Sequence, residues 1–157
     1  MTQRILENLS RQYQALKVLN HLQEEEFTHL KEFRPQSVGA LEFSIHELMR
    51  QLMVERQDVR RMVREVNPGA ARLADLSELF GEQWGKAQAL LDQIDRLEQV
   101  CAKQAEKSYT LALALYDQSS GYVDFFKDKL TPVKHSYGRQ GVFAKTKPAP
   151  AMLRGAL

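Results

Sequence analysis

Residues 38–66 read VGALEFSIHELMRQLMVERQDVRRMVREV, and the fold class follows from this stretch. Val38, Leu41, Ile45, Leu48, Leu52, Val59, Met62 and Val66 recur at steps of three and four, broken only at Glu55. A stripe held in one register over four heptads predicts a long helix packed against another helix. At 1.5 Å per residue the element is about 43 Å long, whereas a compact chain of this size has a radius of gyration of about 15 Å. The expected fold is therefore all-α: an elongated bundle with antiparallel, coiled-coil-like packing.

The flanking segments supply the other helices. Upstream, Leu6, Leu9, Tyr13, Leu16, Phe27 and Leu30 make a stripe, interrupted by Asn20 and Gln23, that predicts a helix from about Gln3 to Phe33, ended by Arg34-Pro35. Downstream, Asn67-Pro68-Gly69 stops the second helix, since proline has no N–H to donate and glycine reverses the chain easily. Ala70–Phe80 reads as a short helix, with Asp75 and Glu78 spaced like a capping pair. A third long helix then runs from about Gln83 to Asp117 through Trp84, Ala87, Leu91, Ile94, Leu97, Cys101, Ala105 and Leu115. Ser119-Ser120-Gly121 predicts an end or a bend, followed by a short apolar face of Tyr122, Phe125, Phe126 and Leu130. No hairpin signal and no run of alternating β-branched residues interrupts this pattern.

The 157 residues, 43% apolar and 27% charged, suit one soluble domain with a core of its own. The formal charge of +2 divides unevenly: residues 1–128 hold 16 basic and 20 acidic side chains, a net of −4, while 129–157 hold six basic and no acidic ones. The expected division is a helical bundle over 1–130 and a basic, mobile tail over 131–157. A mildly acidic body argues against whole-body nucleic-acid binding. The longest apolar run, Leu111–Tyr116, is far below the roughly 18 residues of a membrane span, so no membrane insertion is expected. The first residues, with Arg4 and Glu7 among them, lack the apolar stretch of a signal peptide. Together with a single cysteine, Cys101, they point to the cytoplasm.

Chemistry-bearing motifs fail one after another. Glu26-Phe-Thr-His29 has the Glu-x-x-His spacing of di-iron bundles, but no second copy exists, and Glu42 and His46 stand four apart. His46-Glu47 opens like a zinc-protease helix yet places Arg50 where the second histidine ligand belongs. Nucleophile elbows and phosphate-binding glycine loops do not occur, and Cys101 on an apolar stripe reads as a buried structural thiol. No catalytic residue, metal or cofactor is expected.

What remains is a surface for protein partners. Leu111-Ala-Leu-Ala-Leu-Tyr116 is apolar around most of the helix circumference. Full burial between neighbours is the simpler expectation; the alternative is that one side, with Tyr122, Phe125 and Phe126, accepts an amphipathic helix from a partner. Met49 and Met53 flank the stripe of the second helix at i, i+4; core filling is the simpler expectation and an adaptable partner surface the alternative. In the tail, Tyr137-Gly-Arg-Gln-Gly141 sets an aromatic side chain between glycines and cations, a pattern open to two readings, a disordered end or a short docking motif.

Long N-terminal helices, a third long helix, a Leu/Phe-rich element ending in Leu130-Thr-Pro132 and then Tyr137-Gly-Arg-Gln-Gly141 together resemble the FlgN family of flagellar type III export chaperones, over about Leu6 to Gly141. The resemblance implies a cytoplasmic chaperone that holds hook-associated proteins of the hook–filament junction before export. It further implies a cargo surface for their terminal amphipathic helices and a C-terminal segment that docks on the cytoplasmic part of the export gate, with Tyr137, Gly138 and Gly141 as the docking residues. Leu111, Leu115, Tyr122, Phe125 and Phe126 are the candidate cargo residues. A general helical interaction module, a basic-tailed nucleic-acid binder and a metal-binding bundle are the alternative readings.

Overall fold

The computed structural model describes residues 1–130, 135–137 and 143–145. Its helices are α1 (Thr2–Lys31), α2 (Pro35–Val66), the single turn α3 (Ser77–Phe80) and α4 (Trp84–Leu130), with 3-10 turns at Leu73–Leu76 and Gly81–Gln83. The all-α expectation holds. The chain divides into two compact units, Met1–Leu113 and Ala114–Leu157, with α4 running continuously from one into the other.

In the first unit α1 and α2 form a helical hairpin. Its corner is a Schellman turn: Arg34 N–H donates to His29 O at 3.0 Å and Phe33 N–H to Leu30 O at 3.2 Å. The turn requires a left-handed residue, and here that residue is Phe33, at φ 55°. Glycine takes this conformation without cost, whereas a residue with a Cβ is strained by about 1–2 kcal/mol. Pro35 then sits in the first turn of α2, where a missing N–H loses nothing.

The core joins Ile5, Leu6, Leu9, Leu16 and Leu19 of α1 to Ile45, Leu52, Met62 and Val63 of α2 and to Ala87, Ile94 and Cys101 of α4. The one gap in the α2 stripe, Glu55, is filled by polar contacts across the hairpin. Arg11 donates twice to its carboxylate, at 2.9 Å each, and Asn8, buried in α1, donates to its carboxylate and, at 3.1 Å, to its backbone carbonyl. Gln12 in turn donates to Asn8 Oδ1 at 2.6 Å. The Arg11 guanidinium holds the Glu55 carboxyl below its ordinary range, with help from Asn8. On α4, Glu98 accepts from Arg56, and the Cys101 thiol lies 3.7 Å from Leu16 O.

Between α2 and α4 the chain makes three short turns, Leu73–Leu76, α3 and Gly81–Gln83, in place of the single helix expected over Ala70–Phe80. Asp75 does cap, but backwards: its carboxylate accepts from Ala71 and Arg72 N–H at 2.9 Å each and takes no part with Glu78. Leu76 and Phe80 are buried, and Phe80 meets Trp84 edge-on at 5.8 Å. Gly81, at φ 51° and ψ −126°, breaks the path in a conformation open only to glycine.

Two further expectations are corrected. α4 does not end at Ser119-Ser120-Gly121 but continues to Leu130. A helix already nucleated in a bundle extends through serine and glycine at a cost of about 1 kcal/mol or less per residue, and no proline intervenes before Pro132. Beyond it, β1 (His135–Tyr137) pairs antiparallel with β2 (Phe143–Lys145), Tyr137 opposite Phe143. Strands of three residues carry too little alternation to signal a hairpin. The expected mobility of 131–157 falls largely on positions outside the described residues.

Replacing Phe33, which is 71% exposed, with glycine removes the left-handed strain and little buried surface. The Phe33→Gly variant is expected to be more stable by about 1 kcal/mol, read from urea unfolding monitored by helical circular dichroism. Equal or lower stability contradicts the strain argument.

Candidate functional site

The fully buried residues of α4 are Ala87, Ile94, Cys101 and Ser108, each seven residues after the last. These positions form one buried stripe at heptad spacing, and the side chains at three of them are small. The same step leads next to Leu115, half-buried, and then to Tyr122, 56% exposed. Leu111, three residues after Ser108, is half-buried; Phe125 and Phe126, three and four after Tyr122, are 56% and 55% exposed. The five candidate cargo residues thus occupy the continuation of the buried seam, uncovered by any described residue over its distal half.

This corrects the expectation of full burial for Leu111–Tyr116. Leu113 and Tyr116 are exposed, and from Ala114 to Leu130 only Leu115 and Ser120 are even half-buried. A helix apolar on all sides needs neighbours on all sides to be buried. The contacts holding the exposed side chains are those within the helix: Phe125 and Phe126 edge to face at 5.8 Å, Lys129 Nζ 5.8 Å from the Phe125 ring centre, and Gln118 Nε2 donating to Tyr122 at 3.4 Å. The aromatic faces are therefore presented with their backbone already ordered. Met49 and Met53 are exposed too, contrary to expectation, because they lie one residue from Leu48 and Leu52 and so about 100° around the helix from the core stripe. Tyr137 lies in β1, while Gly138 and Gly141 fall outside the described residues.

The structure also brings together residues that lie far apart in the sequence. Glu26 of α1 is buried and senses Glu42 and His46 of α2, with the Ser108 hydroxyl of α4 facing it. Burial pushes its carboxyl above the ordinary range; Ser108 and His46 oppose the shift, and Glu42 adds to it. Among the described residues no three such side chains converge as metal ligands. The signal for this buried acid was present: Leu19, Gln23 and Glu26 continue the α1 stripe at steps of four and three, so the polar residues occupied core positions. Cys101 is buried, and burial, with Glu98 and Glu24 nearby, pushes its thiol up, away from nucleophilic character. Among the described residues no helix is long and apolar enough to cross a membrane.

Residues 1–143 match the protein family described as FlgN protein. No curated protein and no solved structure matches the chain.

A carboxyl raised by folding stabilises the fold fully below its unfolded pKa, and that contribution is lost as pH rises through the folded value. For Glu26 the loss lies above the ordinary carboxylate value of 4.5. Glu26→Gln keeps the shape and removes the buried charge. The variant is expected to melt higher than the parent at pH 7, with the gap closing at pH 4; a gap independent of pH contradicts the assignment.

Proposed function

The chain belongs to the FlgN family, whose general role is that of a flagellar export chaperone, and from this premise we propose how its residues divide the work. The distal seam of α4, formed by Leu111, Leu115, Tyr122, Phe125 and Phe126, accepts the terminal amphipathic helices of hook-associated proteins. The C-terminal segment, through Tyr137 with Gly138 and Gly141, docks on the cytoplasmic part of the export gate. The protein works in the cytoplasm, as a carrier and not an enzyme.

The observation that carries the cargo assignment is the uncovered seam. A seam buried as far as Ser108 and open at Tyr122 has no covering helix among the described residues over its distal half. An amphipathic helix supplies the missing apolar face, with anchors at steps of three and four to match. Aromatic side chains bury large areas with few rotors to freeze, which is why they dominate binding energetics where they occur. Covering the apolar termini of export cargo also prevents their premature assembly. No nucleotide chemistry is needed, because release follows when the gate and the export machinery compete for the complex.

The tail adds charge of one sign. Six cations and no acid over residues 129–157 favour encounter with an acidic surface, while Tyr137 supplies a side chain able to fill a pocket. Such a contact is reversible, since ordering the segment offsets part of the interaction energy.

Replacing Phe125 and Phe126 together with alanine is expected to weaken cargo binding about 10- to 100-fold, measured by calorimetry with a hook-associated protein fragment. Helicity stays unchanged, since both rings are exposed. Undiminished affinity overturns the cargo surface. For the tail, Tyr137→Ala is expected to retain cargo and lose the gate, read in a pull-down of the cargo-loaded chaperone by the cytoplasmic gate domain. Full recovery of the variant with the gate overturns that role.

A further inference from the structure

The α1–α2 hairpin is charged oppositely at its two ends. Over residues 20–50, which hold the closed end, six acidic side chains stand against three of Lys and Arg, a net of −3. At the open end, residues 2–11 and 56–66 carry six basic side chains against three acidic ones, a net of +3. All six cations there are arginines: Arg4, Arg11, Arg56, Arg60, Arg61 and Arg64. Arg11 and Arg56 are bonded to Glu55 and Glu98, and Arg61 is paired with Asp58 at 2.9 Å and Glu65 at 3.8 Å. Arg4, Arg60 and Arg64 are exposed and pair with no carboxylate among the described residues.

We propose that this open end docks an acidic segment of a partner protein, its carboxylates one helical turn apart against Arg60 and Arg64. Those two arginines lie four residues apart on α2, where like charges repel and weaken a helix. Arg4 stands in the first turn of α1, the positive end of the helix dipole, and no acidic residue accompanies it there. Of the three unpaired arginines only Arg64, in the last turn of α2, is favoured by a dipole. The arrangement is unfavourable for the chain alone and is relieved by an anion from outside. Arg61 joins two hollows, one of about 430 Å³ lined by Gln57, Arg60, Arg61, Arg64 and Glu65, the other of about 200 Å³ and lined also by Arg4 and Arg11. The cationic surface thus runs from α2 across to α1.

The chemistry selects the occupant. Guanidinium groups take carboxylates and phosphates through two parallel hydrogen bonds, where lysine offers a point charge. A continuous phosphate backbone meets Asp58 and Glu65 on either side of Arg61 and is repelled, whereas separate carboxylates at one-turn spacing fit around them. A membrane is disfavoured as well: over residues 2–11 and 56–66 no large apolar side chain is exposed to enter the acyl layer. The tail of the chain cannot be the occupant, since no acidic residue follows Asp128. The acidic closed end of a second copy pairs only head to tail, which does not close into a defined complex. The site belongs to the first unit, while Tyr122, Phe125 and Phe126 belong to the second. The docking therefore does not rest on the cargo reading, and its test contains no cargo.

Fluorescence anisotropy of the full chain with a labelled helical peptide of repeated Glu-Ala-Ala-Ala is expected to show binding that weakens steeply with salt. Replacing Arg60→Ala and Arg64→Ala together is expected to weaken it about 10-fold, the worth of two exposed forked pairs, without lowering the melting temperature. The basic tail is the control: Lys145→Ala with Lys147→Ala removes the same charge and is expected to change the affinity by less than about twofold. Equal losses in the two double variants mean unspecific attraction and overturn the proposal, as does binding indifferent to Arg60 and Arg64. A lowered melting temperature in the arginine variant means that these side chains serve the fold, which overturns it too. The same peptide with its glutamates gathered in one block is expected to bind more weakly, and equal binding overturns the matched spacing. Single-stranded RNA, or vesicles of anionic phospholipid, held more tightly than the peptide by the same two arginines assigns the site to another class of partner and overturns the acidic segment. So does sedimentation of the chain alone, if it shows assembly that the arginine variant abolishes.

Discussion

Two helices with apolar stripes slide past one another easily, because hydrophobic contact is non-directional and one leucine row resembles the next after a turn. In the α1–α2 hairpin the slide is stopped by one polar contact. The carboxylate of Glu55 is held by Arg11 and by the buried amide of Asn8, which Gln12 braces in turn. A slip of one turn strands Asn8 and Glu55 against apolar neighbours, and a buried polar group without its partner is penalised by roughly 1–3 kcal/mol. The ion pair adds little net stability, since the Arg11 side chain remains 57% exposed and water screens the charges. What it fixes is the register, and with it which residues of α2 face Leu9 and Leu16 and which surface receives Cys101 and Ser108 of α4.

That distinction explains which features were legible in the residues. Long helices were, because heptad spacing over residues 38–66 and the prolines at 35 and 68 act locally and need no partner to be read. The partner of Glu55 was not, because nothing in the α2 sequence marks Arg11, 44 residues earlier. Glu26 falls in a Glu-x-x-His spacing, yet its place on the α1 stripe points to burial. The five seam residues were named as a group from their apolarity and spacing. Their exposure was not readable, since burial of Leu115 or Tyr122 depends on whether another element covers them, a property of the fold and not of the helix.

The continuation of α4 through Ser119-Ser120-Gly121 has a similar origin. Local propensity places a helix end there, and serine and glycine are weak formers. Propensity counts against the cost of starting a helix, however, and α4 has been started and held long before, with Ala87, Ile94, Cys101 and Ser108 buried. Each further residue adds a backbone hydrogen bond for the fixing of a single residue. Weak formers lower that gain without reversing it, so the helix proceeds to Leu130.

A helix extended in this way presents its aromatic residues on an ordered backbone before any partner arrives. Fixing one residue of backbone costs about 1–2 kcal/mol, so a segment that folded only on binding gives up much of its interaction energy to ordering. In α4 that cost is met during folding, and the side chains themselves are partly held by neighbours on the same helix, Phe125 by Phe126 and Lys129, and Tyr122 by Gln118. The rings have few rotors left to freeze, so burying them yields more net affinity than burying the same area on a flexible segment. Exposed aromatic residues on a rigid helix are unfavourable for a chain alone in water. They become favourable when a second helix supplies the missing face, which is the condition that the seam ending at Ser108 leaves unmet.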